Sequence, residues 1–332
     1  MEDRRGLCPW AATALVWLAG CAPSGAPPIA QRDAGATSDA AVEPSDAAVE
    51  RSDAAASTAG AGSIPFNPTL LTEDASTPTS DCSVAASAFV YVLSDNNDLY
   101  RFAPDQKTFT QVGAVACAPG QTPNSMAVDR KATAWVNYLD GTLHPVSTVD
   151  ASCSGSAITV PSGWAQDGMA YVASDAGSEV ENLYLTGSYA SAAAGLGVVN
   201  TATGTLTPIA QYTGTLHAAS AELTGTGDGR LFGLFAVSPA NLAQIERGTG
   251  TILSQTPLPG LALSSASSFA FSFWGGRFYF YTYPNPGSSS TNVAEYDPTT
   301  GSFNASFMTD IGFVIVGAGV STCAPLVQPS PK

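Results

Sequence analysis

Alternating apolar and polar residues, interrupted by short polar turns, run through the C-terminal three quarters of the chain. Typical segments are Phe89–Leu93, Thr133–Tyr138, Arg230–Phe235 and Arg277–Tyr283. A period of two residues, rich in aromatic and β-branched side chains, predicts β-strands, and the Gly, Asp, Asn and Pro residues between the segments predict turns. No amphipathic helix of convincing length is seen. Residues 82–325 are therefore expected to form one all-β domain.

An eight-residue hairpin pattern, in which polar turn residues follow an apolar residue, recurs five times in this region. The copies begin at Phe102, Val146, Val199, Ile245 and Tyr296, and their starts lie 44, 53, 46 and 51 residues apart. Such spacing matches one four-stranded blade of a β-propeller. The sequence therefore predicts a five-bladed β-propeller, in preference to six or seven blades.

Each hairpin is followed by a short segment that suits the innermost strand of a blade. The segments are Ser125–Val128, Gly168–Tyr171, Ala221–Thr224, Ser268–Phe271 and Val316–Gly319. Four of them carry alanine at the same place, as expected where strands crowd around an axis. The fifth lies at the C-terminus, whereas the first blade, at 88–113, has room for only three strands. We expect a strand at 314–322 to complete that blade and close the ring.

The N-terminal residues have the pattern of an export signal. Residues 6–20 are almost wholly apolar, too short a run to cross a bilayer, and they lead into Leu18-Ala19-Gly20-Cys21. This tetrapeptide resembles the lipobox of bacterial lipoproteins. The resemblance implies that residues 1–21 are a lipoprotein signal and that Cys21 carries the lipid that anchors the protein to a membrane. Ala22 after the cysteine implies sorting to the outer membrane of a Gram-negative bacterium.

Residues 22–81 consist mainly of Ala, Ser, Thr, Asp, Pro and Gly, and Phe66 is their only aromatic residue. Nine acidic residues and two arginines give residues 22–83 a net charge of −7. A segment of this composition buries too little apolar surface to offset chain entropy. It is therefore predicted to be a disordered linker that reaches on the order of 40 Å. Residues 326–332 are expected to form a disordered tail.

Four cysteines fall within the predicted domain, an even number that indicates disulfides in an exported protein. Three pairings are possible. Cys82 opens the domain and Cys323 ends the closing strand, while Cys117 and Cys153 each follow the outer part of neighbouring blades. The preferred pairing is therefore Cys82 with Cys323 and Cys117 with Cys153.

Three of the hairpins close with the same dipeptide, at Thr203-Gly204, Thr249-Gly250 and Thr300-Gly301. Together with the repeat, these turns make residues 82–325 similar to secreted bacterial β-propellers of the quinoprotein-like or kelch-like kind. The tryptophan that quinoprotein blades place after the turn is missing at all three positions. The resemblance therefore implies an architecture but no quinone, and no cofactor is predicted. A fold so widely reused does not assign a function by itself.

Two carboxylates are the candidates for catalysis. Asp167 directly precedes one inner strand, and Glu222 lies inside another, where the other four blades carry Met or another uncharged residue. A five-bladed propeller resembles one class of enzyme, the glycosidases with carboxylates on inner strands, which need two carboxyl groups at a defined separation. Hydrolysis of a glycan by Glu222 and Asp167 is therefore the alternative function. The usual hydrolase and nucleotide-binding motifs are absent.

Asp95-Asn96-Asn97-Asp98 offers oxygen ligands for calcium, but it lacks the glycine and the distal glutamate of a calcium loop, so a polar turn is the preferred interpretation. Residues 84–332 hold 16 acidic and 8 basic residues, a net charge of −8, which argues against nucleic acid as a partner. We expect a monomer, tethered to the membrane, whose propeller binds or scaffolds an envelope protein or glycan. A binding role is preferred to an enzymatic one.

Overall fold

A computed structural model of the chain describes residues 82–330, except 167, 188–194, 262, 264, 265, 267 and 284–288. The predicted lipoprotein signal with Cys21, the predicted linker and the candidate Asp167 lie outside the described residues. Among the residues that are described, no helix has the length and apolar character needed to span a membrane.

The described residues form twenty strands in five four-stranded antiparallel sheets, which are the blades of a five-bladed β-propeller. From the axis outwards, blade I contains β20 (Ile315–Gly319), β1 (Val90–Ser94), β2 (Asp98–Ala103) and β3 (Thr108–Ala114). Blade II contains β4 (Pro123–Val128), β5 (Thr133–Tyr138), β6 (Thr142–Ser147) and β7 (Ile158–Thr159). Blade III contains β8 (Met169–Ala173), β9 (Glu181–Thr186), β10 (Leu196–Asn200) and β11 (Thr205–Ala210). Blade IV contains β12 (Ala221–Gly225), β13 (Leu231–Phe235), β14 (Ala240–Ile245) and β15 (Ile252–Leu258). Blade V contains β16 (Ser268–Trp274), β17 (Arg277–Tyr283), β18 (Asn292–Asp297) and β19 (Ser302–Met308).

The last strand of the chain closes the ring. Strand β20 pairs antiparallel with β1, placing Gly319 opposite Tyr91 and Gly317 opposite Leu93. Blade I is therefore built from both ends of the domain, as the sequence predicted. This pairing gives the inner edge of β1 a hydrogen-bonded partner, so that edge is no longer exposed.

Neighbouring inner strands approach one another so closely that side chains are excluded at several positions. A Cβ atom on Gly225 would lie 1.9 Å from the carbonyl oxygen of Tyr171, and one on Gly319 would lie 2.9 Å from the carbonyl carbon of Ala127. Both distances are shorter than a van der Waals contact. The small residues of the inner-strand pattern thus allow backbone to pack against backbone around the axis.

Apolar side chains fill the spaces between neighbouring blades. The aromatic residues of β16 and β17 belong to this core: Phe271 and Phe280 are fully buried, and their rings stack with a centroid distance of 6.2 Å. Each buried phenylalanine stabilises the fold by roughly 1.5–3 kcal/mol. The outward-facing residues of the outer strands β3 and β19 remain polar, which explains the alternation seen in the sequence.

Two disulfides join the predicted cysteine pairs. Cys82 is bonded to Cys323, 241 residues away, and Cys117 is bonded to Cys153, 36 residues away. The first connects the two ends of the domain, and the second connects segments next to blades I and II. The preferred pairing from the sequence is confirmed.

One short helix, α1 (Val84–Ala88), precedes the first strand. The Ser83 hydroxyl caps it by accepting a hydrogen bond from the backbone N–H of Ala86 at 3.1 Å. Two blade residues hold α1 in place: the Tyr91 hydroxyl donates to the carbonyl of Ala85, and the Trp274 indole N–H donates to that of Ser87, both at 3.1 Å. A helix of five residues is too short to be detected from hydrophobic periodicity.

Candidate functional site

The five inner strands run parallel to one another around the axis. Gly317 lies beside Ser125 and Gly319 beside Ala127, while Gly168 lies beside Glu222 and Gly225 beside Tyr171. All inner strands therefore begin on one face of the ring and end on the other. We call these the front face, where the inner strands begin, and the back face, where they end.

The back face is crossed by the C-terminal segment. After β20, the Thr322 hydroxyl donates to Oε2 of Glu181 in blade III at 2.8 Å. The carbonyl of Pro325 then accepts from the N–H of Gly275 in blade V, and the side chain of Gln328 donates to the carbonyl of Gly275, both at 2.8 Å. The Cys82–Cys323 disulfide ties the start of the domain to the same segment. Both ends of the domain therefore occupy this face.

A partly buried polar cluster lies beneath these contacts. Glu181 accepts from the backbone N–H of Arg130 at 2.7 Å as well as from Thr322, and burial raises its pKa to about 7. Burial also raises the pKa of Asp129. The Arg130 guanidinium donates to the carbonyl of Ser178 at 3.0 Å and lies 3.5 Å from Sγ of Cys82. The cluster joins blades II and III to the chain ends, so its role in the described structure is to hold the back face together.

The front face contains the one candidate catalytic residue that the structure describes. Glu222 lies in β12 with 8% of its surface exposed, and its Oε2 accepts a hydrogen bond from the Ser125 hydroxyl at 3.0 Å. Ser125 belongs to β4, and β8 lies between β4 and β12 in the ring. This hydrogen bond therefore crosses the axis, joining blade II to blade IV where the inner strands begin.

A pair of asparagines extends this polar site along blade II. The side-chain amide of Asn124 donates to Oδ1 of Asn137 at 2.8 Å. Asn137 is opposite Ser125 in the β4–β5 ladder and fully buried, and its Nδ2 has no hydrogen-bond partner among the described residues. A buried donor of this kind favours a polar partner atom. The front face thus combines a carboxylate acceptor with an unused amide donor.

The neighbouring Tyr138 and His144 belong to the same blade. The Tyr138 hydroxyl is buried, which, together with the nearby Asp140 carboxylate, raises its pKa to about 12. The Tyr138 and His144 rings pack edge to face at a centroid distance of 5.4 Å. Burial lowers the pKa of His144. A neutral imidazole packed against a tyrosine agrees with a structural role for His144.

Asp167, the second candidate carboxylate, is outside the described residues. Its successor Gly168 is described and packs directly against Glu222, since a Cβ atom on Gly168 would lie 2.5 Å from Cα of Glu222. The chain that follows Asp167 is therefore in contact with the first candidate residue.

The calcium candidates lie in the turn between β1 and β2. Asp95 is exposed, and Asp98 accepts a hydrogen bond from the side chain of Gln111 at 2.9 Å. The backbone N–H of Asp98 donates a hydrogen bond to the Ser94 hydroxyl oxygen at 3.0 Å. Within the described part of the chain, no group of three or more His, Cys, Asp or Glu side chains is arranged to hold a metal ion.

Ser125, Asn124 and Asn137 were not singled out from the sequence, nor was the Glu181 cluster. Ser125 did open a predicted inner strand, but a polar residue at the start of a strand is common. Its bond to Glu222 joins residues 97 positions apart. The sequence signal for this site is a single charged residue in an otherwise uncharged set of inner strands, and this signal identified Glu222 but none of its neighbours.

No protein-family model matches the chain, and no curated protein sequence matches it. Among solved structures, a catalytically inactive virginiamycin B lyase from Staphylococcus aureus with quinupristin is similar at a TM-score of 0.38 and 10% identity, covering 64% of this chain and 67% of that one. A protein of unknown function from Bacteroides caccae is similar at a TM-score of 0.38 and 11% identity, covering 69% of this chain and 97% of that one. At these values, neither similarity supports an inference about activity or ligand.

Proposed function

We propose that this protein is an exported lipoprotein, anchored through Cys21 to the outer membrane, and that its propeller is a binding module of the cell envelope. The two disulfides are consistent with export. The observation that carries the binding role is the Ser125–Glu222 hydrogen bond across the axis on the front face. Because both ends of the domain occupy the back face, the front face is the one proposed to receive the ligand.

The chemistry of the front face favours a ligand with hydroxyl or amide groups. Glu222 accepts hydrogen bonds, and Nδ2 of Asn137 can donate one. A hydroxyl group satisfies both because it donates and accepts. Hydrogen bonds in a site of low dielectric are stronger than the same bonds in water. An envelope glycan or a polar protein segment fits this pattern.

Affinity capture from solubilised envelope tests the binding role. Wild-type protein is compared with Glu222→Gln, and Asp105→Asn on an exposed hairpin turn serves as the matched control. Loss of a hydrogen bond to a charged group is expected to weaken capture by about 10–100-fold, since such bonds contribute roughly 1.5–3 kcal/mol. The Asp105→Asn variant should bind like wild type. Equal capture by all three proteins would contradict the front-face proposal.

Metabolic labelling with a radioactive fatty acid tests the anchor separately. Wild-type protein is expected to incorporate label and to remain with the membrane fraction. Cys21→Ser is expected to lose both properties, because the lipid attaches to the cysteine in a lipobox. Membrane association without label would leave the binding role intact but refute lipidation.

Hydrolysis of a glycan by Glu222 and Asp167 is the second candidate, favoured by the contact between Gly168 and Glu222. Retaining glycosidases place the two carboxyl groups about 5–5.5 Å apart, and inverting ones about 6.5–9.5 Å. Release of reducing ends from envelope polysaccharide would support it, provided that Glu222→Gln and Asp167→Asn each abolish the release. Capture of a glycan without its cleavage would leave the binding role alone.

A further inference from the structure

A groove runs along the flank of blade I. It consists of two adjoining depressions of about 250 and 210 Å³ that share Phe89 and Arg101. Ala85 of α1 forms part of one wall, and Val149, in the hairpin turn of blade II, forms part of the other. We call this feature the flank groove. It lies apart from Glu222 and belongs to neither the front-face site nor the back-face cluster.

The flank groove combines apolar surface with a positive charge. The Arg101 guanidinium lies 5.3 Å from the centroid of the half-buried Phe89 ring. Val149 is 82% exposed, and Val84, next to the groove on α1, is 77% exposed. Exposed apolar side chains gathered beside a groove are typical of a surface that binds a partner. Arg101 adds a preference for a partner with nearby acidic residues.

The chain itself supplies a segment of this chemistry. Residues 64–71 read Ile-Pro-Phe-Asn-Pro-Thr-Leu-Leu and contain the only phenylalanine and the only leucines between residues 22 and 81. Glu73 and Asp74 follow after Thr72. The described chain begins at Cys82, close to α1 and therefore to the groove. The ten residues 72–81 can span up to about 33 Å when extended, which is ample for a segment returning to a neighbouring surface.

We propose that residues 64–71 bind in the flank groove of the same molecule, with Phe66 against Phe89 and Val149 and with Glu73 and Asp74 directed towards Arg101. The short connection gives the segment an effective concentration in the millimolar range, so weak apolar contacts are enough for binding. The tether between Cys21 and the domain then ends near residue 63 rather than 81. This proposal depends on neither lipidation nor the role of Glu222.

Limited proteolysis of the full chain provides the test. Phe66, Leu70 and Leu71 are the only residues between 22 and 81 after which chymotrypsin cleaves efficiently, and Arg32 and Arg51 are the only sites there for trypsin. Val149→Asp and Arg101→Glu should each accelerate chymotryptic cleavage at 66–71 by about tenfold, because they weaken segment binding. Tryptic cleavage after Arg51 should not change in either variant. Both substitutions fall on exposed side chains, so the core is undisturbed.

Leu253→Asp, at a 46% exposed leucine of β15 outside the groove, is the matched control and should leave both cleavage rates unchanged. Protection in the wild type should be the same across a dilution series, since the contact is within one molecule. Protection that disappears on dilution would assign the groove to a second copy and overturn the proposal. Equal chymotryptic rates in wild type, Val149→Asp and Leu253→Asp would overturn it as well.

Discussion

The two faces of the propeller are made from opposite ends of the same five inner strands, yet they differ in what completes them. On the back face, Glu181 is hydrogen-bonded to Arg130 and Thr322, and the chain ends cross above it. On the front face, Glu222 is held across the axis by Ser125, beside an amide donor of Asn137 that has no partner among the described residues. Polar groups that join the blades to the chain ends therefore gather on the back face, and the groups proposed to bind a ligand lie on the opposite face.

The disulfide of the back face should make the largest difference. Replacing both Cys82 and Cys323 by serine removes the crosslink that closes a loop of 241 residues. This is expected to lower the free energy of unfolding by about 5 kcal/mol, because a crosslink that closes a longer loop constrains the unfolded chain more. Replacing Cys117 and Cys153 opens a loop of 36 residues and should cost about 4 kcal/mol. Urea unfolding under oxidising conditions measures both. The reverse order would show that the chain ends do not secure the back face.

Arg130 should come next. Arg130→Ala removes a side chain from a residue that is 5% exposed, along with its hydrogen bond to Ser178 and its contact with Cys82. The expected loss is about 3 kcal/mol, since a buried charged cluster loses one of its members. Lys131→Ala, at the exposed neighbouring position, is the control and should change stability by less than about 0.5 kcal/mol. Similar unfolding midpoints for both variants would refute the role given to the cluster.

The pH dependence of stability should report on the back-face cluster. Because the pKa of Glu181 is raised to about 7 in the folded protein, the folded state keeps a proton that the unfolded state loses near the usual pKa of glutamic acid. The free energy of unfolding should therefore fall as pH rises from about 4.5 to 7 and then level off, with a total change of roughly 3 kcal/mol. Glu181→Gln should remove much of this fall in urea unfolding at pH 5 and pH 8. A smaller fall in the free energy of unfolding should remain in this variant, because burial also raises the pKa of Asp129.

Ser125→Ala on the front face should have the smallest effect on stability. It removes one hydrogen bond to Glu222 and should lower the free energy of unfolding by about 1–2 kcal/mol. Ligand capture should fall more than stability does, because the carboxylate loses the hydroxyl that orients it. Ser272→Ala removes a buried serine that bonds to Tyr281 inside blade V and should affect stability alone. Equal losses of capture in both variants would show that the front-face site has no special role.

Much of the fold could be predicted from local patterns. The repeated hairpins indicated five blades, and a spare strand at 314–322 indicated the closure that β20 makes with β1. The helix α1 was missed because five residues carry too little periodicity. The back-face cluster was missed because Asp129 and Glu181 lie in different blades and no spacing links them. Glu222 was found as the one charge among the inner strands, but its partner Ser125 was not.

By itself, the sequence determined the number of blades, the closing strand and the preferred cysteine pairs, because strand alternation and repeats are local and the ends of a closed ring must meet. Only the tertiary structure decided which face the chain ends cover, that Ser125 reaches Glu222 across the axis, and that Arg130 lies against Cys82. Those contacts depend on the curvature of the whole ring and on the close backbone approach at Gly168 and Gly225, which bring together residues far apart in the chain.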